Sequence, residues 1–170
     1  MRPEAHTFED DGRIPNSRLP VLVYAGALDP DAGAGAYEKL FADHGWLGAW
    51  RDGIYPFHHF HSTAHEVLGI AAGKAEVMLG GPEGRQFELR SGDVVVLPAG
   101  TGHCNLGSSS DLLVVGAYPN GMDWDLRRGD PAEHDEVVAN LARVPPPDQD
   151  PVRGEGGPLV ALWAPDTRQS

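Results

Sequence analysis

Histidines concentrate in one short stretch of this sequence. Four of its eight histidines lie between His58 and His65, and a fifth is His103. Side chains alternate between the two faces of a β-strand, so His59 and His61 point to one face and His58 to the other. Two imidazoles on one strand face, one residue apart, can bind the same ion. The first hypothesis is therefore a metal site.

Short strands with glycine-rich turns between them must position these histidines. The predicted strands are Val21–Tyr24, Trp46–Arg51, Ile54–His61, Glu66–Ala71, Ala75–Leu79, Gln86–Arg90, Asp93–Leu97 and Leu112–Tyr118. Turns are predicted at residues 72–74, 80–84, 91–92 and 107–110. This pattern indicates an all-β sandwich or closed barrel.

Helical spacing occurs only outside this strand region. Residues 36–44 predict a helix that ends at Gly45, and residues 131–144 predict a second helix that the prolines 145–147 terminate. Residues 159–163 predict a final short strand or a segment packed on the barrel. We expect one domain over residues 1–170, with an arm and helix in 1–45, the barrel in 46–119, and a helix and tail in 120–170.

Composition narrows the classes of partner. Lysine and arginine total 13 against 25 acidic residues, which gives a formal net charge of −12. Nucleic-acid phosphates and anionic membranes would repel such a chain, so a small molecule is the expected ligand. Cys104 is the single cysteine, no apolar stretch could cross a bilayer, and the first residues do not resemble a secretory signal. We expect a cytoplasmic protein.

Two spaced patterns carry a resemblance to a known family. The first joins Gly53, His59, His61, Glu66 and Gly73 with intervals of five, one, four and six residues. The second joins Gly92, Pro98, Gly100 and His103 with intervals of five, one and two residues. Both resemble the paired motifs of the cupin superfamily, although Asn105 lies earlier than the asparagine that often ends the second motif.

The cupin resemblance implies a fold and a ligand set. The fold would be a double-stranded β-helix, or jelly-roll barrel, in which the two motifs face each other. His59, His61, Glu66 and His103 would hold one divalent metal ion. Three imidazoles and a carboxylate suit Fe, Mn, Ni, Co, Cu or Zn, and the sequence does not choose among them. An octahedral ion would keep up to two open positions.

A narrower resemblance extends over nearly the whole chain. The segments that carry it are Ile14-Pro15-Asn16, residues 19–22, residues 50–53, residues 57–69 and residues 115–119. They are similar to the bacterial YjlB-type cupins. This resemblance supports the expected fold and site residues, but it does not imply a particular reaction or substrate.

Strand parity predicts which side chains surround the metal. Tyr55 and Phe57 share the face of His59 and His61, and Leu68 and Ile70 share the face of Glu66. Asn105 shares the parity of His103, and Tyr118 is a weaker candidate. Each of these residues is equally an ordinary barrel-filling residue. His65 and Tyr55 are candidates for proton transfer, and His65 also competes with Glu66 for the fourth ligand position.

Three functional hypotheses follow. The favoured one is a metal-dependent enzyme that acts on a small organic molecule by dioxygenase or isomerase type chemistry. The alternatives are a non-catalytic cupin that binds a small molecule, and a structural barrel with a vacant site. Cupin barrels often pair, so we expect a homodimer.

Overall fold

Antiparallel strands dominate the computed structural model, which describes residues 2–165. The strands are β1 Glu4–His6, β2 Val21–Tyr24, β3 Trp46–Asp52, β4 Glu66–Ala72, β5 Lys74–Leu79, β6 Arg85–Arg90, β7 Val94–Leu97, β8 His103–Ser108 and β9 Leu113–Pro119. The helices are α1 Ala34–Asp43, α2 His134–Leu141 and α3 Pro158–Leu162, and a 3-10 turn at Pro131–Glu133 precedes α2.

The strands form two antiparallel sheets. The larger sheet has six strands in the order β1-β2-β7-β4-β9-β3, and the smaller has three in the order β6-β5-β8. Neighbours in the larger sheet come from distant parts of the chain, as in a jelly roll. The all-β jelly-roll fold that the sequence predicted is confirmed.

Both faces of the larger sheet are buried, and alternation along each strand decides which core a residue joins. Leu68 on β4 and Val95 on β7 face the smaller sheet and join the core between the sheets. Val67 and Val94 face the other way, toward α1 and α3. Strands buried on both faces contain runs of hydrophobic residues, such as the Val-Val-Val-Leu of β7.

Helix α1 packs closely on β4 because Gly69 has no side chain. A Cβ atom at Gly69 would lie 2.3 Å from the Tyr37 ring. The Tyr37 hydroxyl donates to the carbonyl of Ile70 at 2.6 Å and accepts from the amide of Gly92 at 2.9 Å. This contact fixes α1 on the sheet, close to the strands that carry the site.

The segment 54–61 differs from the predicted strand. It contains only isolated bridges, from His59 to His103 and from Phe60 to Arg127. Pro56 has no amide hydrogen to give to a ladder, and pairing on each side of the segment is limited to a single residue. An unbroken strand was therefore the wrong prediction here.

The C-terminal region also differs in detail. Helix α2 ends at Leu141, and β8 continues to Ser108 through part of a predicted turn. Residues 159–163, predicted as a last strand or a segment packed on the barrel, follow the second alternative: they belong to helix α3 and its end, with Leu159 and Trp163 buried against the larger sheet. No helix in the described part of the chain is long and apolar enough to cross a membrane.

Candidate metal centre

Three of the predicted ligands converge at one end of the jelly roll. His61, Glu66 and His103 each offer a ligand atom, and these atoms all lie within 4.8 Å of one another. Glu66 Oε1 is 3.4 Å from the Nε2 atoms of both histidines. All three side chains are buried. Glu66 begins β4 and His103 begins β8, so the ends of strands from different sheets define the site.

Hydrogen bonds to main-chain carbonyls fix the orientation of the imidazoles. His59 donates from Nδ1 to Phe57 at 2.9 Å, His61 to Asp125 at 2.5 Å and His103 to Thr101 at 3.0 Å. A carbonyl oxygen only accepts, so each Nδ1 carries a proton, and Nε2 is the nitrogen that can bind an ion when the ring is neutral. Histidines that bind metal typically use this arrangement, with the second nitrogen held by a hydrogen bond.

His59 lies beside the three converging residues. Its ring centroid is 3.9 Å from that of His103, and the main chains of the two residues exchange hydrogen bonds of 3.1 and 2.9 Å. The side chain of His59 is buried and lines the same cavity, but it is not part of the group that meets within 4.8 Å. A role as fourth ligand stays a prediction.

The charges of the site match a cation-binding centre. Burial opposes ionisation of Glu66, but His61 and His103 outweigh it and hold the pKa of this carboxyl below its usual range. Burial lowers the pKa of His61, but Glu66 reverses this effect and raises it. Burial, with the nearby His103, lowers the pKa of His59 to about 3. Imidazoles and one carboxylate fit a divalent transition metal.

A cavity of about 500 Å³ opens above these residues. Three predicted pocket residues, Tyr55, Leu68 and Tyr118, line it, and Trp50 and Trp124 complete its aromatic side. Burial and the charge of Glu66 raise the pKa of Tyr118, so its hydroxyl remains protonated.

The other three predicted pocket residues lie outside the cavity lining. Phe57 follows the irregular turn at Pro56, and its ring lies under the Arg128 guanidinium at 3.9 Å. Ile70 is fully buried in the core between the sheets. Asn105 binds the hydroxyl of Ser108 and the amide of Gly107 beside a register shift in β8. Strand parity failed because the backbone is irregular at two of these positions.

His65 also lies outside the cavity. Its Nδ1 accepts from the amide of Ala99 at 2.9 Å, and its ring packs on Trp163 with centroids 4.8 Å apart. Burial lowers its pKa to about 4. The structure therefore places Glu66, rather than His65, among the converging ligand atoms, and it brings Tyr55 but not His65 to the cavity.

The segment after β9 supplies residues that the sequence did not predict. The Trp124 ring meets His61 at a centroid distance of 5.1 Å. The Asp125 carboxylate accepts from the amides of Ser62 at 2.6 Å and Thr63 at 3.2 Å, and from Arg127 Nε at 2.8 Å. Its carbonyl also holds His61. No motif or periodicity marks this segment, since its key contact uses the main chain.

Comparison with known proteins places the chain in a family. The family model described as Cupin matches residues 51–121. The uncharacterised protein YjlB of Bacillus subtilis (strain 168) is 40% identical over 161 residues, which is 94% of this chain and 96% of YjlB.

Solved structures with a similar fold share far less sequence. An acireductone dioxygenase from Bacillus anthracis with a cadmium ion in its active centre is 16% identical, with a TM-score of 0.41 over 62% of this chain and 82% of that chain. The WlaRB TDP-quinovose 3,4-ketoisomerase from Campylobacter jejuni is 16% identical, with a TM-score of 0.42 over 54% and 74%. On the family match and the extended identity with YjlB, the chain belongs to the cupin family and is of the YjlB type.

Proposed function

We propose that this cupin binds one divalent transition metal ion through His59, His61, Glu66 and His103 and acts as a metal-dependent enzyme on a small organic molecule. The observation that carries the proposal is the convergence of three buried ligand atoms within 4.8 Å at the base of a cavity of about 500 Å³. The hydrogen bonds at each Nδ1 support it, because they leave each Nε2 free to bind an ion.

Each group has a distinct task in this proposal. A divalent ion in this site would supply Lewis-acid or, if redox-active, dioxygen chemistry. The Trp50 Nε1–H donates to the Tyr118 hydroxyl at 2.8 Å and holds it at the cavity surface. The Tyr118 hydroxyl also interacts with the Glu66 carboxylate, so its proton is directed toward a proposed ligand. Tyr55 is 49% exposed and is the remaining candidate for proton transfer at the cavity.

The metal content of purified protein tests the ligand set. We expect about one equivalent of a transition metal in untagged wild type, and a large loss in single alanine variants of His61, Glu66 and His103. His134→Ala is the matched control, because this imidazole is outside the converging group and the cavity lining and binds Asp10 at 2.7 Å. His59→Ala decides whether His59 is the fourth ligand. A wild type that stays metal-free after reconstitution would contradict the proposal.

Metal-dependent turnover separates the enzyme from its alternatives. Loss of product formation after chelation, and its return with the metal, would support catalysis. Tight binding of a small molecule without turnover would instead indicate a non-catalytic binding cupin. A melting temperature unchanged by Mn, Fe, Co, Ni or Zn would favour a vacant barrel, since a ligand that selects the native state must stabilise it.

The oligomeric state of the protein, its binding partners and its location in the cell remain predictions. We expect a homodimer, which sedimentation equilibrium tests directly: a mass equal to one chain would contradict it. The charge of −12 supports the expectation that the protein does not bind nucleic acid or anionic membranes. The single cysteine is compatible with the expected cytoplasmic location.

A further inference from the structure

Three aromatic rings form one continuous side of the cavity, which we call the aromatic wall: Trp50, Tyr118 and Trp124. Trp50 and Tyr118 are joined by the hydrogen bond of 2.8 Å. The rings of Tyr118 and Trp124 are stacked, with centroids 5.9 Å apart and planes at 20°. The wall reaches the ligand group, because the Trp124 ring also meets His61.

The fixed charges of the cavity lining restrict the class of ligand. Among residues 2–165, the cavity lining contains no lysine or arginine, and its acidic residues are Asp52 and Glu66. The arginines nearest in sequence to lining residues are already engaged: Arg51 with Glu38 at 2.6 Å, Arg127 with Asp125 at 2.8 Å, and Arg128 over Phe57 at 3.9 Å. A phosphate or carboxylate that lies out of reach of the proposed metal ion would therefore meet Asp52 without a compensating side-chain cation.

Apart from the proposed ligands and the tryptophans, the polar side chains of the lining are Asp52, Tyr55 and Tyr118. Ile54, Pro56 and Leu68 present carbon atoms to the cavity. The Tyr118 oxygen already accepts from Trp50. A sugar with a hydroxyl at most ring positions would leave several of these hydroxyls without a partner, and each unpaired group costs free energy.

We propose that the cavity binds an uncharged, flat ring compound. The face of this ring would lie on the aromatic wall, and an oxygen substituent would point toward the proposed metal site of His61, Glu66 and His103. This inference rests on the proposed function of the same site. Aromatic rings stack in offset or edge-to-face arrangements with centroids about 4.5–7 Å apart, which Trp124 can offer to a ligand. Hydroxylated aromatic compounds such as catechol belong to this class.

Isothermal titration calorimetry with three probes tests the ligand class. Catechol, oxalate and glucose 6-phosphate are titrated into the Zn(II)-loaded protein, with the zinc content measured before and after each titration. We expect catechol to bind at least about tenfold more tightly than either anion.

Trp124→Ala should lose about tenfold in catechol affinity, and Trp124→Phe should recover most of it. Trp124 is 45% exposed, so its substitution should leave the fold intact. Leu106→Ala is the control, because Leu106 is 50% exposed on β8 and outside the cavity lining.

Two outcomes of these titrations would overturn the inference. Binding of oxalate or glucose 6-phosphate as tight as that of catechol would overturn the inference, and so would a Trp124→Ala protein that binds catechol like wild type. If the wild-type protein holds no zinc, the proposed function fails. Catechol binding to the aromatic wall can still be measured in that case. Catechol should then bind the metal-free protein more weakly and still depend on Trp124.

Discussion

Replacing Asp125 by alanine should weaken metal binding although this side chain is not a proposed ligand. Its carboxylate holds the amides of Ser62 and Thr63, the two residues that follow His61. Its own carbonyl accepts the Nδ1–H of His61 at 2.5 Å. The side chain thus anchors both the ligand-bearing segment and the carbonyl that orients the ligand. We expect Asp125 to be a positioning residue for His61.

The structure sets the size of the effect. Ser62 is fully buried, so alanine at position 125 leaves its amide without a partner. An unpaired buried donor costs about 1–3 kcal/mol, and the lost ion pair with Arg127 adds to this. We expect a loss of about 2–4 kcal/mol in the free energy of unfolding, or roughly 5–15 °C in melting temperature for a chain of this size. Loss of a group that orients a ligand typically costs about 10–100-fold in metal affinity.

Two measurements on each protein separate positioning from plain stability. Calorimetric unfolding of metal-free protein gives the stability loss, and competition with a chelator gives the metal affinity below the melting temperature. Asp123→Ala is the matched control, since it removes the same charge from an exposed residue two positions away. An Asp125→Ala protein that melts early but binds metal like wild type would refute the positioning role.

Three further predictions concern packing, pH and the docking of the tail. Gly116→Ala would put a Cβ atom 2.2 Å from the Trp50 indole, so we expect about 1–3 kcal/mol of destabilisation in urea titrations and a changed tryptophan emission. Burial raises the pKa of Tyr24 in the folded protein above its usual value of 10.0. The contribution of Tyr24 to the free energy of unfolding is therefore complete below pH 10, and it declines above pH 10 because the hydroxyl then ionises more readily in the unfolded chain. The difference in unfolding free energy between wild type and Tyr24→Phe should therefore shrink above about pH 10. Phe60 and Arg127 exchange main-chain hydrogen bonds of 2.9 and 3.0 Å, and hydrogen exchange at both amides should slow when metal is added. Unchanged exchange would mean that the site and the tail are uncoupled.

The sequence predicted the regular parts of this molecule well. Buried strands such as β4 and β7 are short hydrophobic runs between turn residues, and their local pattern is sufficient to find them. The resemblance of two spaced patterns to the cupin motifs implied His61, Glu66 and His103 as ligands, and these three residues converge. In each case the information lies in the type of residue and its interval along the chain.

The remaining parts depend on contacts that residue type does not encode. Parity assigned Phe57 to the cavity, but parity requires a continuous strand, and the chain around Pro56 is irregular. The contact between His61 and Asp125 uses a carbonyl that any residue could present, across 64 positions of sequence. Neither composition nor periodicity contains a signal for such a contact.

The pairing of segment 54–61 with two separate parts of the chain completes the site. The main chain of His59 pairs with His103 on β8, whereas that of Phe60, one residue later, pairs with Arg127 in the tail. Successive residues of an extended segment direct their main-chain hydrogen bonds to opposite sides, so the segment joins the smaller sheet to the tail. His61 then finds its carbonyl partner at Asp125, beyond the barrel expected at residues 46–119. The metal site is therefore a joint product of the barrel and the tail, which is why the positioning of His61 should respond to changes in either.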